Sequence, residues 1–121
     1  MLFHPRYVPL IIAGTKKITR RAWKRNLVKE GGVYLCKTKM FDPRWFAKVR
    51  VTRVWKQKLG DLSEAEAIED GHSSLEDFKS SWTVLYGHWN PQYEITVIEF
   101  EVAEVNPQWR SLLPENFKES G

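Results

Sequence analysis

A chain of 121 residues, 42% hydrophobic and 13% aromatic, has the material for one ordinary core, so one globular domain is expected. Its single cysteine, Cys36, excludes an internal disulfide, and His4, His72 and His88 stand too far apart for metal-ligand spacing. No structural metal and no cofactor is expected. The formal net charge of +4 conceals a division: residues 1–60 carry 16 Lys and Arg against two acids, and residues 61–121 carry 3 against 13.

Some of that separation closes into ion pairs in a single domain, and a basic and an acidic face are expected to remain. A basic face favours a polyanionic partner, RNA or a nucleotide. No apolar run is long enough to span a bilayer, and "YVPLIIAG" lacks the leader and cleavage pattern of a signal peptide, so a soluble cytoplasmic protein with no membrane partner is expected. Protein partners are not indicated.

In chain order, residues 7–13 are apolar and run into Gly14, which predicts one or two helical turns stopping there. "GTKKITRRAWKR" follows, with six cations (Lys16, Lys17, Arg20, Arg21, Lys24, Arg25) and no acid. Within it the chain is expected to run extended, Ile18 and Arg20 on one side and Thr19 and Arg21 on the other. "EGG" marks a turn and "VYLCKT" a short strand with Cys36 as a small core residue. Residues 45–56 alternate as a strand, with Trp45, Ala47, Val49, Val51 and Trp55 on one parity and Lys48, Arg50 and Lys56 on the other. Arg53 breaks the apolar parity and reads as an edge arginine reaching solvent, with a bulge or an internal polar site as alternatives.

The pattern then becomes helical. Ser63 and Glu66 form a capping box, and the helix they open is expected to end near Gly71. Ser73 or Ser74 caps a second helix whose apolar stripe is Leu75, Phe78, Trp82 and Leu85, ending by Gly87. "WNPQ" is a turn, and "YEITVIEFEVAEV" a long strand in which Ile98, Phe100 and Val102 alternate with Glu99 and Glu101. The order predicts an α+β fold, a small mixed or antiparallel β-barrel with flanking short helices. Residues 1–105 form the domain and residues 106–121 a polar, loosely held tail.

Gly14, Lys16 and Arg21 fit G-x-K-x-x-x-x-R, which resembles the signature of the ASCH domains, a PUA-like family. The order of elements matches as well, over roughly residues 5–104. The resemblance implies a PUA-like barrel that binds RNA or nucleotides in a cleft lined by the signature. Some small bacterial members resemble amidohydrolases that remove the acetyl group of 4-acetylcytidine with a lysine, a threonine three residues on and a carboxylate from the helical region. Lys16 and Thr19 stand in that relation here, and Glu69 or Asp70 supplies the carboxylate. Arg20 stands where those members look apolar.

Two readings of one segment follow. As a binder, Lys16, Lys17, Arg20, Arg21, Lys24 and Arg25 meet phosphates, with Trp23 either a base platform or a core residue, and Trp45 and Trp89 weaker platforms. As a possible amidohydrolase, Thr19 attacks, a neutral Lys16 takes its proton, and Glu69 or Asp70 orients the lysine. A protein-interaction module using the acidic face is the third reading. The histidines are assigned surface or capping roles, Trp55 and Trp82 the core, and Lys48 and Arg50 a solvated strand face that extends the cationic surface if it is not simply solvated.

Overall fold

The computed structural model describes residues 1–110. Strands β1 (Ile18–Arg21), β2 (Val33–Cys36), β3 (Ala47–Lys58) and β4 (Glu94–Val105) form one curled antiparallel half-barrel in the order β1-β4-β3-β2. Helices α1 (Val8–Ile12), α2 (Glu64–Asp70), α3 (Leu75–Tyr86) and α4 (Pro107–Arg110) flank it. This is the expected α+β class, with the strand ladders antiparallel rather than mixed. One isolated parallel bridge, Leu2 with Lys37, extends the sheet beyond β2. Among the described residues no helix is long and apolar enough to cross a membrane.

Local signals set the element ends. Gly14 stops α1 with φ of +78°. The Ser63–Glu66 capping box opens α2, Gly71 closes it in the left-handed region, and Ser74 and Gly87 cap α3. In the main core Val49, Val51, Ile98 and Phe100 of the sheet meet Phe3, Val8, Ile11, Cys36 and Phe46. A second core of Leu59, Leu62, Ala67, Phe78, Trp82 and Ile95 lies beneath α2 and α3. Residues 95–98 of β4 are therefore buried on both faces.

Two expectations about side-chain direction change, those for Trp55 and Leu85, while Arg53 reaches solvent as its parity break suggests. A register shift between Val51 and Arg53 inserts Thr52 as an extra residue, so Val54 rather than Arg53 comes opposite Ile98. Arg53 is thereby exposed at a bulge, its guanidinium 4.3 Å from the Trp55 ring centroid. Trp55 is half-buried under that cation and lies outside both cores. On α3, Leu85 is 72% exposed, and the stripe continues from Phe78 and Trp82 to Tyr86, whose ring lies 4.3 Å from that of Trp82.

The opposite charges of the two halves meet across β3 and β4, where Lys48 pairs with Glu104 at 3.3 Å and Arg50 with Glu101 at 3.7 Å. Both pairs are solvated and contribute at most about 1 kcal/mol each. Lys48 and Arg50 thus add little net positive charge to the surface. Residues 1–3 link the two ends of the curled sheet: the Phe3 N–H donates to the Lys37 carbonyl beyond β2, and Arg21 of β1 donates to the Leu2 carbonyl. Past β4, Trp109 lies 5.9 Å from Phe46 between ring centroids. The rest of the expected tail, residues 111–121, lies outside the described residues.

Candidate functional site

The turn after α1 decides where Lys16 goes. Gly14 adopts a positive φ, and the N–H groups of Thr15 and Lys16 both donate to the Leu10 carbonyl, at 2.9 and 3.0 Å. The chain then enters β1 with the Lys16 side chain underneath it, only 2% exposed. Its Nζ donates to the Ile18 carbonyl at 2.7 Å, to the Asp70 carbonyl, and to Asp70 Oδ1 at 3.2 Å. Three acceptors match the three N–H bonds of an ammonium, and the face of Tyr7 lies 4.8 Å away. Burial lowers the Lys16 pKa from 10.5 to about 8, against the opposing pull of Asp70.

Asp70 also holds Arg20. Its Oδ2 accepts from Arg20 Nη1 at 3.1 Å, while Arg20 Nη2 reaches Glu66 Oε2 at 3.2 Å and Nε reaches Gln57 Oε1 at 3.2 Å. Glu66 and Asp70 are four residues apart on α2, so one helix face presents both carboxylates to β1. The result is a charge-neutral node of two cations and two acids in which the Arg20 side chain is 1% exposed. Glu69, the alternative carboxylate, is on the exposed side of the same helix.

A second chain of contacts reaches the node from the N-terminal side. Arg6 donates to the Tyr7 hydroxyl at 2.9 Å, that hydroxyl lies 3.2 Å from His72 Nε2, and His72 Nδ1 lies 3.3 Å from Asp77 Oδ2. A carboxylate only accepts, so a neutral His72 carries its proton on Nδ1 and presents Nε2 to the tyrosine hydroxyl. Asp70 Oδ1 is 3.6 Å from the same Nε2. Burial lowers the His72 pKa against the raising effect of Asp70 and Asp77, and burial raises that of Tyr7. His72 is thus a buried member of the cluster, not the surface or capping residue assigned from sequence. Its burial follows from Gly71, whose turn brings the ring beneath Tyr7, and the sequence cue was a histidine two residues after the candidate carboxylate.

The other predicted residues divide. Thr19 is buried opposite Ile98, on the face of β1 turned away from Arg20. Its hydroxyl is bonded to neither Lys16 nor Asp70 and has no hydrogen-bond partner among the described residues. Arg21 is half-buried over the Phe3 ring at 4.8 Å and donates to the Leu2 carbonyl at 2.7 Å, with burial lowering its pKa. Trp23 is half-buried against the main core. Trp45 and Trp89 are half-buried, with Lys48 5.1 Å above the first ring and Lys79 5.5 Å above the second. Lys17, Lys24 and Arg25 are exposed.

A groove of about 430 Å³ lies beside the turn after α1, lined by Ile12, Lys16, Lys17, Glu99, Phe100 and Glu101 among others. Its charged lining is balanced rather than basic, and Thr19, Arg20, Arg21 and Asp70 lie outside it. The chemistry of the cluster belongs to the Lys16–Asp70–His72 contacts, so the groove does not define the site. Among the described residues no group of His, Cys, Asp and Glu is arranged to hold a metal ion.

No family model and no curated protein matches the chain. Solved structures do match. The ASCH domain from Lactobacillus crispatus JV V101 superposes with a TM-score of 0.66 at 16% identity, over 80% of this chain and 70% of that one. Protein EF3133 from Enterococcus faecalis V583 gives 0.66 at 19% identity, over 84% and 72%. ASCH from Zymomonas mobilis gives 0.59 at 9% identity, over 98% and 89%. With the signature turn, the curled sheet and the helical pair in the same order, the chain has the fold of the ASCH domains.

Proposed function

We propose that the protein binds RNA or a nucleotide through the exposed cations of residues 14–25. One observation carries this reading. Lys17, Lys24 and Arg25 are exposed and have no carboxylate within ion-pair distance among the described residues, whereas Lys16 and Arg20 of the same run are neutralised by Glu66 and Asp70. The buried pair ties β1 to α2 and keeps the backbone between the outward cations rigid, so less ordering is required on binding. The expected basic cleft becomes, in this reading, a cationic surface on a neutral brace.

Anisotropy of a labelled single-stranded RNA, followed from low to moderate salt, tests it. Affinity should fall with salt, by roughly 0.7 in log–log slope per phosphate contact. The triple variant Lys17→Ala, Lys24→Ala, Arg25→Ala should flatten that slope by about 2, while Lys48→Ala, whose partner is Glu104, leaves it unchanged. Absence of binding in low salt, or a slope indifferent to the triple variant, overturns the proposal.

The second reading, deacetylation of 4-acetylcytidine or a related acylated nucleoside, is favoured by the lowered pKa of Lys16 beside Asp70 and opposed by the placement of Thr19, on the face of β1 turned away from Asp70. In it the Thr19 oxygen attacks the acetyl carbonyl and Lys16 takes the hydroxyl proton. The C–N bond breaks as that proton passes to the leaving amine, and water then releases acetate from the acyl-threonine. Lys16 must first be neutral, which with a pKa of about 8 holds for roughly a tenth of molecules at neutral pH. Turnover that Thr19→Ala abolishes while RNA affinity persists supports this reading; no turnover by the unaltered protein ends it.

A further inference from the structure

The connection between β2 and β3 carries the aromatic side chain most exposed to solvent among the described residues, Phe41 at 95%, next to Met40 at 65%. Phe41 is also the one non-glycine with positive φ among the described residues, at +63°. A bulky side chain rarely adopts that conformation, and the surrounding structure must impose it. Just after it the chain is closed by Asp42, whose carboxylate accepts from the Arg44 N–H at 2.9 Å, from Nε at 3.1 Å and from Nη2 at 2.9 Å. The ring contributes nothing to either core. A strained backbone thus holds a large apolar ring in water.

The charge around the loop says what the ring meets. Lys37 and Lys39 lie between β2 and Phe41, and neither has a carboxylate within ion-pair distance among the described residues. Arg44 is neutralised by Asp42. Lys37 bridges to Leu2, whose carbonyl accepts from Arg21 at 2.7 Å, so the base of the loop adjoins the signature arginine. Arg21, Lys37 and Lys39 thereby lead from the cationic run towards Phe41.

We propose that Phe41 is a stacking platform for an unpaired base of single-stranded RNA, with Lys37 and Lys39 meeting the phosphates beside it. This rests on the RNA-binding reading above and adds a second contact region to it. A stacked aromatic is worth about 5- to 150-fold in affinity and needs only one accessible ring face. A membrane surface is the poorer match: two apolar side chains bury far less than the single acyl chain that itself gives only marginal binding.

The test compares Phe41→Gly with the unaltered protein on a labelled single-stranded RNA of about 12 nucleotides, on a blunt duplex of the same length, and on phosphatidylserine vesicles. Glycine adopts the positive φ without strain, so the variant should melt at the same temperature or higher. Its affinity for the single strand should fall about tenfold with the salt slope unchanged, while duplex binding is unaffected. Phe41→Trp should keep the single-strand affinity. Single-strand affinity unchanged in Phe41→Gly overturns the platform and leaves the RNA reading standing, as does an equal loss on the duplex. Vesicle binding lost in Phe41→Gly without any change on RNA assigns the ring to a membrane instead. No RNA binding by the unaltered protein overturns both proposals.

Discussion

Replacing Asp70 by asparagine removes the one carboxylate that Lys16 and Arg20 share. Arg20 keeps Glu66, but Lys16 is left with the Ile18 and residue-70 carbonyls, a neutral amide oxygen and no countercharge, at 2% exposure. Breaking a buried pair from one side costs about 3–5 kcal/mol, because a buried charge remains uncompensated. Lys16→Met should cost less, since Asp70 retains Arg20 at 3.1 Å and the long apolar chain fills the same space. The asymmetry between the two variants is the expected result, and urea denaturation at neutral pH measures it.

The pH dependence gives an independent reading of the same node. Lys16 has a folded pKa of about 8, below its ordinary 10.5. Between those values the unfolded chain binds more protons, so the unaltered protein gains stability as pH rises through that window, by at most about 3 kcal/mol. Below about pH 8 both states are protonated and the cost of burying the charge is present in full. Without Asp70 the attraction that raises the lysine pKa is lost, and the lysine sheds its proton at lower pH. The deficit of Asp70→Asn relative to the unaltered protein should therefore be largest in mild acid and shrink towards pH 8. A deficit under about 1 kcal/mol, or one that is the same at all these pH values, would refute the buried-charge argument.

Three further outcomes follow from the geometry. His72, buried with a lowered pKa, is protonated more readily in the unfolded chain, so stability should fall as pH drops below 6.5; His72→Gln should flatten that part of a melting-temperature profile. Cys36 is fully buried with its thiol pushed up to about 11, so alkylation by iodoacetamide should proceed only at the rate of unfolding and accelerate sharply in denaturant. Gly71→Ala should cost about 1–2 kcal/mol from the left-handed backbone alone. It should cost more through its methyl, placed 3.0 Å from Tyr7 Cε1 and 3.2 Å from Cδ1; calorimetry checks it.

Much of the fold was legible because its signals are local. Gly14, the Ser63–Glu66 box, Gly71, Ser74 and Gly87 fix element ends within a few residues of themselves, and alternation in β1 correctly separated Ile18 and Arg20 from Thr19 and Arg21. What failed depends on partners far along the chain. Parity beyond Val51 is reset by a bulge that exists only against β4, so Trp55 falls outside the core it was assigned to, while Arg53 reaches solvent as expected. His72 is buried by Tyr7, 65 residues earlier. The choice between Glu69 and Asp70 was readable in principle: Glu66 and Asp70 share a helix face, and Arg20 needs both.

The same division bears on how the cationic run is interrogated. Six cations look equivalent in sequence, yet Lys16 and Arg20 are the inner half of a salt-bridged brace, while Lys17, Lys24 and Arg25 face solvent. Removing an inner cation leaves Asp70 or Glu66 short of its partner and loosens β1 from α2, so it weakens any function carried by the surface even if no ligand touches it. Removing an outer cation changes the surface field and leaves the brace intact. Lys16 belongs to the signature, but a lost activity in a Lys16 variant reports folding and function together. The outer residues report function more directly, through the salt slope of binding. A Lys17→Ala, Lys24→Ala, Arg25→Ala protein that melts like the unaltered one yet binds RNA with a flatter slope separates the two roles in a single comparison.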